Sequence, residues 1–230
     1  MSRPGHFEHL LAACDGFDPI PTAVAHPCDA AAMAGVAAAA ARGIIRPLLV
    51  GPAARVRAAA DAAGFSLDAV ELVDTPHSHA SAARAVELVR QGRAEALMKG
   101  SLHTDELMAE VVHRETGLRT ARRVSHCFVM DVPAFPEPLL ITDAAVNIAP
   151  TLEEKVDIVQ NAIDLAHVLG IAEPRVAVLS AMETVNPRVP STIEAAALCK
   201  MADRGQITGA AIDGPLALDN AISIAAARIK

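Results

Sequence analysis

The 230-residue chain has a formal net charge of −7, 52% hydrophobic residues, 2% aromatic residues, and neither Trp nor Tyr. An acidic chain this poor in rings lacks the basic patch and the stacking platforms of a nucleic-acid binder. No apolar run approaches the ~20 residues of a membrane span, and the length suits one large α/β domain or two small ones built on Ala, Val, Leu and Ile.

Met1 to Leu11 carries His and Glu without a long apolar stretch, so it is not a secretion signal, and the expected compartment is the cytoplasm. Pro21 to His26 reads as a first strand. Asp29 can cap a helix running through Ala41, with Gly43 ending it. Pro47 to Val50 is a second strand, followed by a helix with Pro52 in its first turn and Gly64 at its close. Val70 to Val73 and Glu95 to Met98 are strands, with a helix from Ala80 to Arg90 between them. Thr104 is expected to cap a helix to Arg114.

The middle of the chain breaks this alternation. Val124 to Val132 and Pro138 to Thr142 are both strand-like, with only a Pro-rich turn between them, which predicts a local antiparallel pair. The Pro133–Pro138 turn is the expected joint between a first lobe, residues 1–134, and a second, residues 135–230. Thr151-Leu-Glu-Glu154 is a capping box opening a helix to Leu169, with Gly170 after it. Arg175 to Leu179 is a strand. Ser191-Thr-Ile-Glu194 reads as a second capping box, for a helix to Arg204. Ile207 to Ile212 is a strand, and Leu218 to Ile229 a last helix.

Four polar clusters directly follow predicted strands: Lys99-Gly100-Ser101-Leu-His103-Thr104, Asp143 to Asn147, Glu183 to Asn186, and Asp213 to Asn220. Ligands of open α/β sheets bind just beyond the carboxyl ends of strands. Taken singly, each cluster has an ordinary reading as a loop, turn or cap. Together they favour a site. Gly100 allows close approach of an anion, Ser101, His103 and Thr104 supply polar side chains, and Lys99 adds charge, as in a phosphate cradle.

Several motifs are absent: the Walker phosphate loop, G-x-G-x-x-G, the G-x-S-x-G elbow and H-E-x-x-H. The cysteines Cys14, Cys28, Cys127 and Cys199 form no C-x-x-C pair and read as reduced, mostly buried thiols. His77 and His79 read as a solvated loop, His126 and Cys127 as core, and His167 as surface or interhelix. No metal site is expected.

The segments LMKGSLHTDELM, RRVSHCFVMDVP, LLITDAAVNIAPTLEEKVDIVQNAIDLA, VAVLSAMETVNPRVPSTIEAAALCKMADRGQITG and IDGPLALDNAIS together resemble the phosphate acetyl/butyryltransferases, and most of all their butyryltransferase-like branch. The resemblance spans roughly Ala94 to Ser223. It implies an α/β, two-lobed isocitrate/isopropylmalate dehydrogenase-like fold, with mostly parallel sheets flanked by helices, usually as a homodimer. It implies the reaction acyl-CoA + phosphate = acyl phosphate + CoA, with acetyl or butyryl as the acyl group. CoA enters as substrate, and no cofactor is permanently bound. The family continues beyond the point matching Lys230, with a Ser-Arg pair and an Asp taken as phosphate binder and thiol base. That base is therefore carried onto no residue here. His103 and Asp213 stand as catalytic candidates. Lys99, Gly100, Ser101, His103, Thr104, Asp143, Asn147, Glu183, Asn186, Asp213 and Asn220 stand as candidates for binding CoA and the other substrates. Two alternatives stay open: a metal-dependent dehydrogenase-like enzyme on the same fold, and a catalytically inactive CoA-binding remnant. A parent protein with an enoyl-CoA hydratase-like domain also stays open.

Overall fold

The computed structural model describes residues 5–132, 135 and 138–229. Packing divides the chain into one compact unit of residues 11–121 and another of residues 1–10 with 122–230. The expected joint at 134/135 falls in the Pro133–Pro138 turn, of which Pro133, Ala134, Pro136 and Glu137 lie outside the described residues. A helix α1, His6–Ala13, is an element the sequence reading did not anticipate. It starts without a Ser, Thr, Asp or Asn cap, the signal by which a helix start is read; the Gly5 carbonyl accepts from Glu8 N and His9 N instead.

The unit of residues 11–121 alternates strand and helix. Its elements are β1 (Ile20–Ala25), α2 (Ala30–Ala41), β2 (Ile45–Gly51), α3 (Ala53–Ala63), β3 (Glu71–Asp74), α4 (Ser78–Arg90), β4 (Ala96–Lys99) and α5 (Thr104–Val111). The strands form one four-stranded sheet in the order β3-β2-β1-β4, and every pairing is parallel. Strand side chains alternate between faces, and helices cover both. Ala23, Ala25 and Val50 pack with Ala82, Ala85, Leu88, Leu102 and Leu107 on the α4–α5 side. Val24 and Leu49 pack with Met33, Val36, Val56, Ala59 and Ala60 on the α2–α3 side. The alanine bias is thus explained: small side chains let helices settle close onto a doubly covered parallel sheet. The caps expected at Asp29 and Gly64 form, with Asp29 accepting from Ala32 N and Gly64 left-handed at φ 64°.

The other unit holds β5 (Cys127–Met130), β6 (Leu139–Thr142), α6 (Leu152–Val168), β7 (Arg175–Leu179), α7 (Pro190–Asp203), β8 (Ala211–Leu216) and the short helices α8 (Leu218–Ile222) and α9 (Ile224–Ala227). β5 and β6 form the expected antiparallel pair. β7 and β8 run parallel, joined through α7. Val159 and Ile163 of α6 pack against Leu198 of α7 and Ile207. The Thr151–Glu154 capping box closes in both directions.

Four expectations for local structure are corrected. Thr104 is the first residue of α5, not its cap; His103 holds the cap position without a side-chain bond, and the helix stops at Val111, where Leu118 N turns back onto the Val111 carbonyl at 2.8 Å. The second capping box does not form. α7 begins at Pro190, whose ring presets the helical φ, and Val189 precedes it as cap. Ser191 instead bonds Ser180 through the two hydroxyls at 2.8 Å, and Glu194 pairs with Lys155. β8 lies at Ala211–Leu216 rather than 207–212, because Ile207 plugs the core from a loop. The last helix breaks at Ser223, whose hydroxyl caps α9 through Ala226 N.

Candidate functional site

The register of the parallel sheet sets the ends of its strands level. Ala25 pairs with Val50 and with Lys99, and Gly51 pairs with Asp74. The loops after all four strands therefore leave from one edge, the edge at which such sheets bind ligands.

The Lys99–Thr104 loop is pinned to the end of β1. Gly100 N donates to Ala25 O at 2.8 Å and Ser101 N to His26 O at 2.9 Å. The Ser101 hydroxyl donates to His26 O at 2.8 Å and accepts from Cys28 N at 2.9 Å. Its one proton is therefore used inside the protein. Gly100 is required for contact rather than for an unusual φ: a Cβ there would lie 2.6 Å from Ala25 O and from the His26 carbonyl. Lys99 Nζ donates to Leu102 O at 2.9 Å and to Gly100 O at 3.3 Å. Ser101 is half-buried, whereas His103 and Thr104 are exposed. Asp105 and Glu106 put negative charge into the first turn of α5, offsetting the positive end of that helix dipole.

The anchor of this edge is a residue that the sequence reading left inside the first strand. His26 is 4% exposed and adopts φ +57°, a left-handed conformation uncommon for a side-chain-bearing residue. Its Nδ1 lies 3.1 Å from Ser81 Oγ and its Nε2 lies 3.4 Å from an Arg55 guanidinium nitrogen. Ser81 Oγ also contacts Thr75 Oγ1 at 2.8 Å and donates to the His77 carbonyl at 2.9 Å. Burial, then the nearby Arg55 charge, lowers the His26 pKa; Glu106 opposes this and His77 adds to it. The pattern of polar residues just past a strand end holds for His26, which follows β1 directly, and for Thr75, which follows β3 directly. Arg55 and Ser81 lie within helices, and nothing in the sequence marks them.

In the other unit Asp143 and Asn147 form one knot. Asp143 accepts from Ala145 N and Val146 N at 2.9 Å each, from His126 N at 3.2 Å and from Asn147 Nδ2 at 2.5 Å. Burial alone would raise this carboxyl, but bonds from Val146, Ala145, Asn147 and His126 outweigh it and bring the pKa down to about 2. Asn147 also donates to Val124 O at 3.0 Å and accepts from Arg123 Nε at 2.5 Å. Arg123 pairs with Glu154 of the capping box at 2.5 Å. Strand end, turn and helix start are thereby held together.

Glu183 accepts from Asn220 Nδ2 at 2.8 Å, so two of the four clusters meet directly. The side-chain oxygen of Asn220, Oδ1, is buried without a hydrogen-bond partner among the described residues. Asn186 shapes its own turn, accepting from Arg188 N and taking Thr192 Oγ1 on its backbone N–H, both at 2.9 Å. Asp213 lies on β8, not after it, and accepts from Gly214 N at 2.9 Å.

The histidine and cysteine readings divide. His77 caps α4 by accepting Ala80 N at 3.2 Å, and His79 meets Glu106 at 3.5 Å. His126 is half-buried and packs edge-on against Phe128 at 4.4 Å. His167 ties α6 to the Gly209 carbonyl at 2.8 Å. Cys28, Cys127 and Cys199 are half-buried, while Cys14 is exposed, which corrects the expectation for that thiol. Burial raises Cys28, Cys127 and Cys199; at Cys28 the Arg55 charge opposes this, and nearby Asp29, Asp143 and Asp213 respectively add to it. These thiols are held protonated and make poor nucleophiles. Among the described residues no group of three or more His, Cys, Asp or Glu could hold a metal ion, and no helix is long and apolar enough to cross a membrane.

Residues 78–230 match the family described as phosphate acetyl/butaryl transferase. The chain is 59% identical over 229 residues to a phosphate acetyltransferase of Rhizobium meliloti, covering 100% of this chain and 72% of that protein. It is 44% identical over 188 residues to a phosphate butyryltransferase of Clostridium acetobutylicum, covering 82% of this chain and 62% of that protein. Among solved structures, a branched-chain phosphotransacylase from Enterococcus faecalis superposes with a TM-score of 0.73 at 29% identity, covering 91% of this chain and 73% of that one. The α/β fold is thus shared with a solved phosphotransacylase, and the chain spans 62–73% of the length of these relatives.

Proposed function

The chain belongs to the phosphate acetyl/butaryl transferase family, and we propose that it transfers an acyl group between CoA and inorganic phosphate. The observation that carries this reading is the 59% identity to a phosphate acetyltransferase across essentially the whole chain. The family match over residues 78–230 takes in all four polar clusters named from the sequence.

In the forward direction a phosphate oxygen attacks the thioester carbonyl. The carbonyl becomes a tetrahedral oxyanion, the carbon–sulfur bond breaks, and CoA leaves as thiolate or thiol. In reverse, CoA needs a base, because a free thiol titrates near ~8.5, and donors must steady the oxyanion. Lys99 and His103, on a loop clamped to the sheet edge, are suited to the anionic substrate. Thr104 and Gly100 complete that loop, and Ser101 holds its shape. The acidic first turn of α5 means that attraction for phosphate comes from these side chains more than from the helix end. His103 and Asp213 are the candidate thiol bases, each on its own unit. Asp143, Asn147, Glu183, Asn186 and Asn220 shape the loops of the second unit. CoA is a substrate here and not a resident cofactor. The higher identity to the acetyltransferase favours acetyl-CoA over butyryl-CoA. The proposed setting is the cytoplasm and the proposed assembly a homodimer, which light scattering on the eluting protein tests.

The deciding experiment is phosphate-dependent release of CoA thiol from acetyl-, butyryl- and longer acyl-CoA by the purified chain. Turnover, fastest with acetyl-CoA, is the expected result. CoA binding without turnover identifies an inactive CoA-binding chain. Absence of both sinks the transferase reading.

A further inference from the structure

The polar network behind the Lys99–Thr104 loop has one arrangement of protons that satisfies every contact. A serine hydroxyl has one proton and two lone pairs. Ser81 Oγ meets three groups: the His77 carbonyl, Thr75 Oγ1 and His26 Nδ1. A carbonyl can only accept, so the Ser81 proton goes to His77. Thr75 and His26 must then both donate to Ser81. His26 consequently carries its proton on Nδ1 and turns the Nε2 lone pair toward the Arg55 guanidinium, 3.4 Å away. A second proton, on Nε2, would set N–H against N–H and cation against cation.

The same residue supplies the contact that shapes the loop. The His26 carbonyl accepts from Cys28 N, Ser101 N and the Ser101 hydroxyl. Its left-handed φ turns that carbonyl out of the line of β1. The imidazole, held by Ser81 from α4 and Arg55 from α3, keeps the backbone in that conformation.

We propose that His26, as the neutral Nδ1–H tautomer, is the positioning residue of the Lys99–Thr104 loop. Its side-chain bonds to Ser81 and Arg55 fix the left-handed turn whose carbonyl orients Ser101, and with it His103 and Thr104. The effect on catalysis rests on the transferase reading above; the effect on the loop does not. The groups facing the ring are Arg55 from α3, His77 ahead of α4 and Glu106 from α5. Burial, Arg55 and His77 oppose protonation, and Glu106 alone favours it. Acidification below the ordinary imidazole value of ~6.5 therefore loosens this edge, because the unfolded ring takes a proton that the folded ring resists.

The test uses the full chain. Long-range proton–nitrogen correlation of the ring, assigned by loss of its signals in His26→Asn, is expected to show a neutral Nδ1–H tautomer at pH 6. A proton on Nε2, or a second proton taken up at or above the ordinary value, overturns the proposal. Amide exchange at Ser101 is expected to quicken about tenfold or more in His26→Ala. It recovers most of the way in His26→Asn, which tolerates positive φ and offers Ser81 an N–H. Unchanged Ser101 exchange in His26→Ala overturns the proposal. Should His26→Ala fail to fold, the ring measurement on the unmodified chain decides alone. In the acyl-transfer assay, KM for acetyl-CoA is expected to follow Ser101 exchange across the variants, with kcat moving less. Failure of the unmodified chain to turn over acyl-CoA would count against the transferase reading only, leaving the ring and exchange results to judge His26.

Discussion

The Ser101 hydroxyl donates to the His26 carbonyl at 2.8 Å and accepts from Cys28 N at 2.9 Å, so one side chain fastens the loop after β4 to the loop after β1. Ser101→Ala removes two hydrogen bonds from this joint, while Cys28 N and Ser101 N still reach the His26 carbonyl. Two bonds at a net ~0.5–1.5 kcal/mol each cost about 1–3 kcal/mol together. A lowered urea midpoint with unchanged m-value, together with a raised KM for acyl-CoA, is the expected outcome. Gly100→Ala, which would press a methyl into the His26 carbonyl, is expected to cost a similar ~1–3 kcal/mol through overpacking.

The helix caps offer a paired test. Thr151 closes a two-way capping box and Ser191 does not. Thr151→Ala is expected to lose ~1 kcal/mol by removing a cap. Ser191→Ala loses one hydroxyl contact with Ser180, worth ~0.5–1.5 kcal/mol when net, but leaves the helix start intact. Helix content by circular dichroism should drop near the midpoint for the first variant only. Equal fraying in both would contradict the observed caps.

Asp143 carries a pH dependence of definite sign. Its folded pKa is lowered to about 2, against ~3.9 for an unperturbed Asp. Its contribution is therefore fully present above ~4 and is lost as pH falls through that range toward ~2. Asp143→Asn should flatten the acid limb of the stability profile between those values. It should also destabilise at pH 7, since an amide cannot accept from four donors at once. Chemical denaturation from pH 2 to 7 on both proteins measures this.

For catalysis, His103→Gln and Asp213→Asn separate the two candidate bases. The variant lacking the true base is expected to lose ~10²–10⁴ in kcat with a smaller change in KM, while the other stays near the unmodified rate. Neither side chain is needed for packing, as both are exposed, so thermal unfolding should be little altered. A loss shared equally by both, or by neither, would place the base elsewhere.

The core makes a simpler prediction. Leu49 is fully buried on β2, packed with α2 and α3 side chains. Leu49→Ala is expected to cost ~2–5 kcal/mol, read as a fall in unfolding midpoint.

Much of the architecture was legible along the chain, because its signals are local. Gly43 and Gly64 end helices through positive φ, Asp29 and Thr151 start them, and runs of small apolar residues mark strands doubly covered by helices. The antiparallel β5–β6 pair followed from two strands without a helix between them. The family resemblance rested on ordered segments that are equally local. What the sequence could not determine was which polar groups spend their protons on one another. Ser101 reads as a phosphate ligand until its hydroxyl is found between His26 and Cys28, 73 residues or more away in sequence. His26 reads as the last residue of a strand until its backbone turns left-handed and its ring meets Ser81 and Arg55. Ile207 reads as a strand residue until the α6–α7 core takes it. Hydrogen bonds satisfy buried polar atoms across whatever distance the fold brings together. Periodicity and caps report only on neighbours a few residues apart. The fold class was therefore settled by local chemistry, and the shape of the site by tertiary contacts.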